Sequence, residues 1–260
     1  MFAQVLAAEF LKLRRCKVTW FSLAALSLGP LAIALMMWIV REPGRAAKLG
    51  LLGTKANLSG LTATWPAYSS MLTMVVGIGG MLLLAFVVAF VFGREYTEGT
   101  AKNLLALPVG RHWFALAKLV VAAVWWAALV AAVLVEGFAL GALLRLPGFS
   151  PSLAASTIRD ALLAAAVAYL LVPVVAWIAM LGRGYLPPLG FALAMLVLGD
   201  VFSHTGWAPW FPWAIVPQFI GAIGKPATTI APVSFVVVAL TFAGGIAATI
   251  AQLRWADNAQ

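Results

Sequence analysis

Few residues in this chain could do chemistry, and several of them lie in apolar surroundings. Glu136 stands near the end of a long apolar stretch, directly before Gly137 and five residues before Gly141. Asp200 and His204 stand in a second apolar stretch, one helical turn apart. A charged carboxylate inside a bilayer costs about 2.5 to 3.5 kcal/mol, so residues of this kind are typical of a substrate path or a proton relay.

Helix packing is a second interpretation of the same residues. Gly137 and Gly141 form a GxxxG pattern that lets a neighbouring helix approach closely, and Glu136 can then form a hydrogen bond between the packed helices. We favour packing for Glu136 because both glycines adjoin it. Asp200 and His204 can form an interfacial cap or, alternatively, a pair that transfers protons.

Motifs for enzymatic or metal chemistry are absent from the sequence. The nearest approach to a nucleotide-binding loop, residues 221–225, has the wrong spacing and precedes Pro226, which lacks the N–H that phosphate binding needs. Cys16 is alone, and two histidines, His112 and His204, cannot bind a metal without further ligands. We therefore expect no catalytic activity, no bound cofactor and no metal.

The composition is that of a membrane protein. Of 260 residues, 64% are hydrophobic and 10% are charged, against about a quarter charged in a soluble domain. Six apolar segments match the length of about 20 residues that a membrane crossing requires. They predict an all-α polytopic membrane protein with one transmembrane domain, whose spans cover about residues 18–40, 69–92, 114–144, 161–181, 186–202 and 233–253.

The distribution of lysine and arginine predicts the orientation. With both termini inside, ten of the 17 lysines and arginines fall on the inner side and seven on the outer side. Positive residues favour the cytoplasmic side, so we expect both termini in the cytoplasm and the chain in the plasma (inner) membrane. The net charge of +9 then indicates contact with anionic lipid rather than with nucleic acid.

The N-terminal residues 1–17 have the pattern of an amphipathic helix lying in the membrane interface. Apolar residues share one arc at 100° per residue, and Lys12 and Arg15 lie outside it. Glu9 falls within the apolar arc, where it can pair with Lys12 or with a partner surface. Motor contact and lipid anchoring are both compatible with this pattern.

A second surface segment is predicted between spans 5 and 6, at residues 205–231. Its apolar run is too short to cross and is interrupted by prolines. We expect a re-entrant or interfacial hairpin whose interface belt consists of Trp207, Trp210 and Trp213.

The loop at residues 93–111 is the most polar stretch between spans. Gly99 can end one helix and Thr100 can cap the next, which predicts a short helix over residues 101–107 on the cytoplasmic face. Such a helix can dock in a groove of a soluble partner, although an ordinary solvated loop is an alternative. Lys118, at the start of the next span, can extend its ammonium group to the interface and needs no special role.

The same loop resembles a known family signature. The pattern ExxxGTxKxLLxxPVxR at residues 95–111, followed by Lys118, resembles type-2 ABC exporter permeases, and most of all the small six-span branch of bacitracin-resistance and lantibiotic-immunity permeases. Gly110 departs from the family, which often has serine there. The residues that the resemblance and the loop assign to coupling are Glu95, Glu98, Gly99, Thr100, Lys102, Leu104, Leu105, Pro108 and Arg111, with Glu9, Lys12 and Arg15 from the N-terminal helix.

The resemblance implies a transport subunit with two kinds of protein partner. The loop would be a coupling helix that docks on a separate ATP-binding subunit, which carries the ATP and Mg²⁺. A second permease chain, identical or homologous, would complete the substrate path, and ATP would drive alternating access. The aromatic hairpin and the apolar bundle suit an amphipathic or lipophilic cargo, such as a peptide antibiotic or a drug.

An ion-coupled or proton-coupled secondary transporter is the alternative function. It would use Glu136, Asp200 and His204 as a relay. It also predicts inverted repeats with matched broken helices, and the six spans show no such symmetry.

Overall fold

The expected all-α membrane fold is confirmed. A computed structural model describes residues 2–50, 61–100, 110–221 and 227–255, and every regular element in those ranges is helical. Six helical segments are long and apolar enough to cross a membrane, and we number them spans 1 to 6. Their bounds are Lys17–Arg41, Trp65–Thr97, Arg111–Leu143, Pro151–Leu181, Leu186–Ser203 and Pro232–Arg254.

Shorter helices accompany the spans. The N-terminal helix is Phe2–Arg15, and a short helix, Pro43–Lys48, follows span 1. Span 2 consists of Trp65–Met74, a π-helical segment at Val75–Gly79, and Gly80–Thr97. Span 4 consists of Pro151–Leu170 and Val172–Leu181, and the last helix extends over Pro232–Trp255. Between spans 5 and 6 lie two 3₁₀ turns, Ala208–Trp210 and Pro212–Ala214, and the hairpin helix Ile215–Ile220.

Contacts between span ends define two sides of the bundle. Arg111, at the start of span 3, donates from Nη1 to the Leu253 carbonyl of span 6 at 3.0 Å. Arg41, at the end of span 1, donates to the Leu144 carbonyl after span 3 at 2.6 Å. The N-terminal helix packs on span 3 near the first of these contacts. We call that side the terminal side and the other the opposite side.

Span 4 begins earlier than its hydropathy suggested, at Pro151 rather than near residue 161. Ser150 caps the helix, since its Oγ accepts the N–H of Leu153 at 3.1 Å, and Pro151 takes the first helical position. Arg159 and Asp160 resembled loop residues by their charge, but their side chains pair within the helix at 2.9 Å. Hydropathy alone could not show that pairing.

The segment between spans 5 and 6 returns into the bundle on the opposite side. The helix Ile215–Ile220 is largely buried, and Gly77 in the π-helical part of span 2 lies directly against Ile220 and Val216. Trp207 and Trp210 are exposed. Trp213 is half-buried and packs edge-on against Phe191 of span 5. It therefore faces the bundle, unlike the other two tryptophans, which are at the surface.

Spans 4 and 6 approach closely where span 4 breaks. Span 4 is interrupted at Leu171, before Pro173, whose ring prevents a regular helical hydrogen bond. The Thr249 hydroxyl of span 6 donates a hydrogen bond to the Pro173 carbonyl at 3.1 Å. Gly245 permits this contact, because a Cβ there would stand 2.8 Å from the Val174 backbone nitrogen.

We therefore predict that Gly245→Ala destabilises the bundle by about 1 to 3 kcal/mol, the usual cost of overpacking. Gly244→Ala is the matched control, since a Cβ at that neighbouring position meets nothing within 4 Å. It should be neutral or slightly stabilising, because alanine favours helix. Unfolding of both purified variants in mild detergent measures the difference, and equal stabilities would contradict the close approach.

Candidate functional site

Four charged side chains from three elements meet on the terminal side, and we call them the ionic cluster: Glu9, Lys12, Glu95 and Lys118. Lys118 of span 3 lies 2.9 Å from a Glu95 oxygen of span 2 and 3.1 Å from a Glu9 oxygen of the N-terminal helix. Lys12 lies 2.6 Å from Glu9 and 3.1 Å from Glu95. Each carboxylate therefore contacts both ammonium groups, and the formal charges balance.

Lys118 is the centre of the cluster, and its expected extension to the interface is wrong. Only 4% of the residue is exposed. Its ammonium group donates to Glu9, to Glu95 and to the Val91 carbonyl at 2.9 Å, so all three N–H donors have acceptors. The sequence could not reveal this burial because the N-terminal helix, which is remote in sequence, covers the start of span 3.

Apolar contacts dock the N-terminal helix in this position. Val5, Glu9 and Leu13 recur every four residues and form its buried face. Val5 packs with Phe114 and Ala117 of span 3. Glu9 thus lies inside an apolar stripe, where a carboxylate is tolerated only because Lys118 and Lys12 pair with it.

Electrostatic contacts within the cluster keep Glu9 and Lys12 charged. Burial alone would raise the pKa of Glu9, but the ammonium groups of Lys118 and Lys12 outweigh it, so the pKa lies below its ordinary value of 4.5. Burial alone would lower the pKa of Lys12, and the Glu9 and Glu95 carboxylates raise it above 10.5. Both groups are therefore ionised at neutral pH.

Glu95 also connects the cluster to the polar loop. Its side chain lies in the cluster, while its backbone carbonyl accepts the N–H of Thr100 at 2.9 Å and contacts the Thr100 hydroxyl at 3.4 Å. Gly99 between them has a φ of +68°, the left-handed conformation that glycine adopts without strain. Thr100 therefore closes the end of span 2.

The remaining predicted coupling residues occupy different environments. Glu98 receives both its hydrogen bonds from Arg94, at 3.0 and 3.1 Å, on a partly exposed surface. Arg111 is bound to the end of span 6, and Arg15 is exposed. The predicted short helix at residues 101–107, with Lys102, Leu104, Leu105 and Pro108, lies outside the described residues.

The residues considered for a relay are not gathered into one site. Glu136 is half-buried beside Gly137, whose carbonyl accepts the Tyr68 hydroxyl at 2.8 Å. Span 2 covers both glycines of the GxxxG pattern, because Cβ atoms there would stand 2.6 Å from Leu72 and 2.5 Å from Trp65. Asp200 and His204 are exposed, and among the described residues no ion pair joins them.

Sequence reasoning missed Lys118 as a site residue. Its signal is the placement of a lysine among buried positions at helical spacing: Ala117, Leu119, Val121 and Ala122 are all buried. Glu9 shows the same pattern on its own helix. Two opposite charges, each inside an apolar stripe, would have indicated a buried pair.

The fold and site define a polytopic membrane protein whose terminal side is held by an ionic cluster. Within the described ranges no group of three His, Cys, Asp or Glu side chains could hold a metal. The chain belongs to the ABC-2 family transporter proteins, whose family profile matches residues 5–199. It is 27% identical over 184 residues to the bacitracin transport permease protein BCRB of Bacillus licheniformis, covering 70% of this chain and 88% of that protein. The expectation of an ABC-2 type permease without catalytic activity is thereby confirmed.

We predict that removal of the central cation of the cluster strongly lowers the stability of the protein. Lys118→Met leaves two buried carboxylates with only Lys12, and we expect a loss of about 3 to 5 kcal/mol. Lys17→Met, an exposed lysine, is the control and should change little. Unfolding in mild detergent compares them. Adding Glu95→Gln to Lys118→Met should recover part of the loss, and equal stability of the two single variants would contradict the role of Lys118.

Glu9 also predicts a pH dependence of stability. The pKa of Glu9 is lowered in the folded protein. Its contribution to stability is therefore present above about pH 4.5, the ordinary pKa, and is lost as the pH falls through the folded-state pKa. The stability difference between wild type and Glu9→Gln should be constant from neutral pH to about pH 5 and then shrink. Glu98→Gln, at a more exposed ion pair, should show a smaller difference throughout. A difference already lost at pH 6 would contradict the assignment.

Proposed function

We propose that this chain is the membrane-spanning subunit of an ATP-driven exporter, with both termini in the cytoplasm of the cell and hydrolysis on a separate ATP-binding subunit. The observation that carries the proposal is the double role of Glu95. Its carbonyl holds the base of the polar loop, and its side chain holds span 3 and the N-terminal helix through the ionic cluster.

This arrangement can transmit motion from a docked partner. A displacement of the loop would be transmitted to the end of span 2 through the hydrogen bond between the Thr100 N–H and the Glu95 carbonyl. Lys118 carries it to span 3, and Arg111 extends the connection to span 6 through the Leu253 carbonyl. Because charged contacts in a buried site resist separation, these elements would move as one body.

The proposed coupling residues have different roles. Glu9 and Glu95 are largely buried, so their role is to position the loop. Glu98 and Arg15 remain accessible to a separate subunit. Lys102, Leu104 and Leu105 are proposed to lie on the docking helix itself, which Pro108 ends, as the family resemblance implies.

The cargo proposal rests on the relative whose name refers to bacitracin transport. We assign this chain an amphipathic or lipophilic cargo of the peptide antibiotic kind, moved by alternating access together with a second permease chain. Exposed Trp207 and Trp210 on the opposite side suit the interface of the outer leaflet. The proton-coupled alternative requires Glu136, Asp200 and His204 to act together, and among the described residues no hydrogen bond or ion pair joins these three side chains.

The shape of the loop at Gly99 provides the decisive experiment. Gly99→Val places a β-branched residue in the left-handed region and should abolish both export and co-purification of a Walker-motif ATPase, while membrane insertion persists. Gly99→Asn should retain much of both, since asparagine tolerates that conformation. Affinity purification in mild detergent with mass spectrometry, and cargo efflux from energised cells, measure the two outcomes.

Gly50→Val is the matched control for backbone strain alone. Gly50 has a φ of +70° with nothing within 4 Å, and it lies on the opposite side after span 1. It should leave ATPase recovery unchanged. If no ATPase accompanies the wild-type protein, or if efflux follows a proton gradient without ATP, the exporter proposal fails.

A further inference from the structure

A polar cavity lies between spans 2 and 4 on the side opposite the termini. Its volume is about 200 Å³, far more than one water needs. Span 2 contributes Ser69 and Thr73, and span 4 contributes Ser156, Thr157 and Asp160. Arg159 and apolar side chains such as Leu153 and Ile220 complete the lining.

Four of the lining hydroxyl groups already donate to backbone carbonyls of their own helices. Thr73 donates to the Ser69 carbonyl at 3.1 Å, and Ser69 donates to the Pro66 carbonyl at the same distance. Thr157 and Ser156 donate to the Leu153 carbonyl at 2.7 and 2.9 Å. Each hydroxyl proton is used within its own helix, so the oxygen lone pairs remain for a donor.

Asp160 is the carboxylate of the cavity lining, and its ion-pair partner Arg159 lines the same cavity. The Asp160 side chain is 12% exposed, and one oxygen, Oδ1, accepts hydrogen bonds from Arg159. The other oxygen has no hydrogen bond to any described residue. The Arg159 side chain is 69% exposed, so solvent screens its positive charge more than the carboxylate's negative charge.

We propose that this cavity binds a primary ammonium group through the second carboxylate oxygen of Asp160 and hydroxyl oxygens such as those of Thr157 and Thr73. An ammonium group has three N–H donors and no acceptor, which matches the acceptor oxygens of Asp160, Thr157 and Thr73. A divalent metal ion fits less well, because such ions prefer several carboxylate or carbonyl ligands and only one carboxylate lines the cavity. Two sources carry this chemistry: an amine-bearing cargo and the headgroup of phosphatidylethanolamine.

The binding test needs no motor subunit, so its result is independent of the proposed transport function. The purified protein in phosphatidylcholine nanodiscs is titrated with dansylcadaverine, a fluorescent primary amine, and with its N-acetylated neutral analogue, against empty nanodiscs. The amine should bind and the acetylated compound should not. Equal binding of the two compounds, or binding of neither, would overturn the proposal.

Two variants should change the affinity for the amine in opposite directions. Asp160→Asn should weaken amine binding about tenfold or more, the usual value of a charge-assisted hydrogen bond. Arg159→Gln should strengthen it, because it removes the competing cation. Glu42→Gln is the matched control: it removes a carboxylate from the same side, near the end of span 1, and should change nothing.

Two further measurements complete the design. If Asp160→Asn does not elute as folded protein on gel filtration, Thr157→Val takes its place, and unaltered affinity in the folded variant would contradict the site. Nanodiscs containing phosphatidylethanolamine distinguish the sources. Loss of probe binding there identifies the lipid headgroup, whereas retained binding that trilysine displaces identifies an amine-bearing cargo.

Discussion

The burial of the Lys118 ammonium group is the constraint on which the terminal side of this protein depends. A cation in that position requires acceptors in several directions, and no single helix can supply them. Glu95 comes from the preceding span, Glu9 from the N-terminal helix, and the Val91 carbonyl from one turn earlier in span 2. The cluster consequently fixes the relative positions of three elements that are separated in sequence.

Placement of this cluster next to the loop has a mechanical consequence. Glu95, near the end of span 2, accepts the Thr100 N–H with its backbone carbonyl and pairs with Lys118 through its carboxylate. In the proposed function, force on the loop is converted into movement of helices. Rigid ionic contacts at the base of the loop suit that task, because apolar helix surfaces in a bilayer slide past one another more readily than paired charges separate.

The two sides of the bundle use polar groups differently. On the terminal side, the opposite charges of the ionic cluster pair with one another. On the opposite side, the hydroxyl groups between spans 2 and 4 donate to their own backbones, and Asp160 is only partly paired. The first arrangement holds helices together, whereas the second leaves acceptor oxygens facing a cavity. The close contacts that glycines allow, such as Gly245 beside span 4, keep the bundle compact between these sides.

The sequence alone determined the class of the protein, because hydrophobic length is a local property that a membrane imposes on each span separately. It also indicated the loop at Gly99, whose left-handed conformation depends only on neighbouring residues. Tertiary structure decided which charges are partners. Glu9 and Lys118 are separated by 109 residues, and their pairing follows from how the N-terminal helix docks on span 3. Charge lowered the apparent hydropathy around Asp160, and only packing showed that this residue lies inside span 4 beside a cavity.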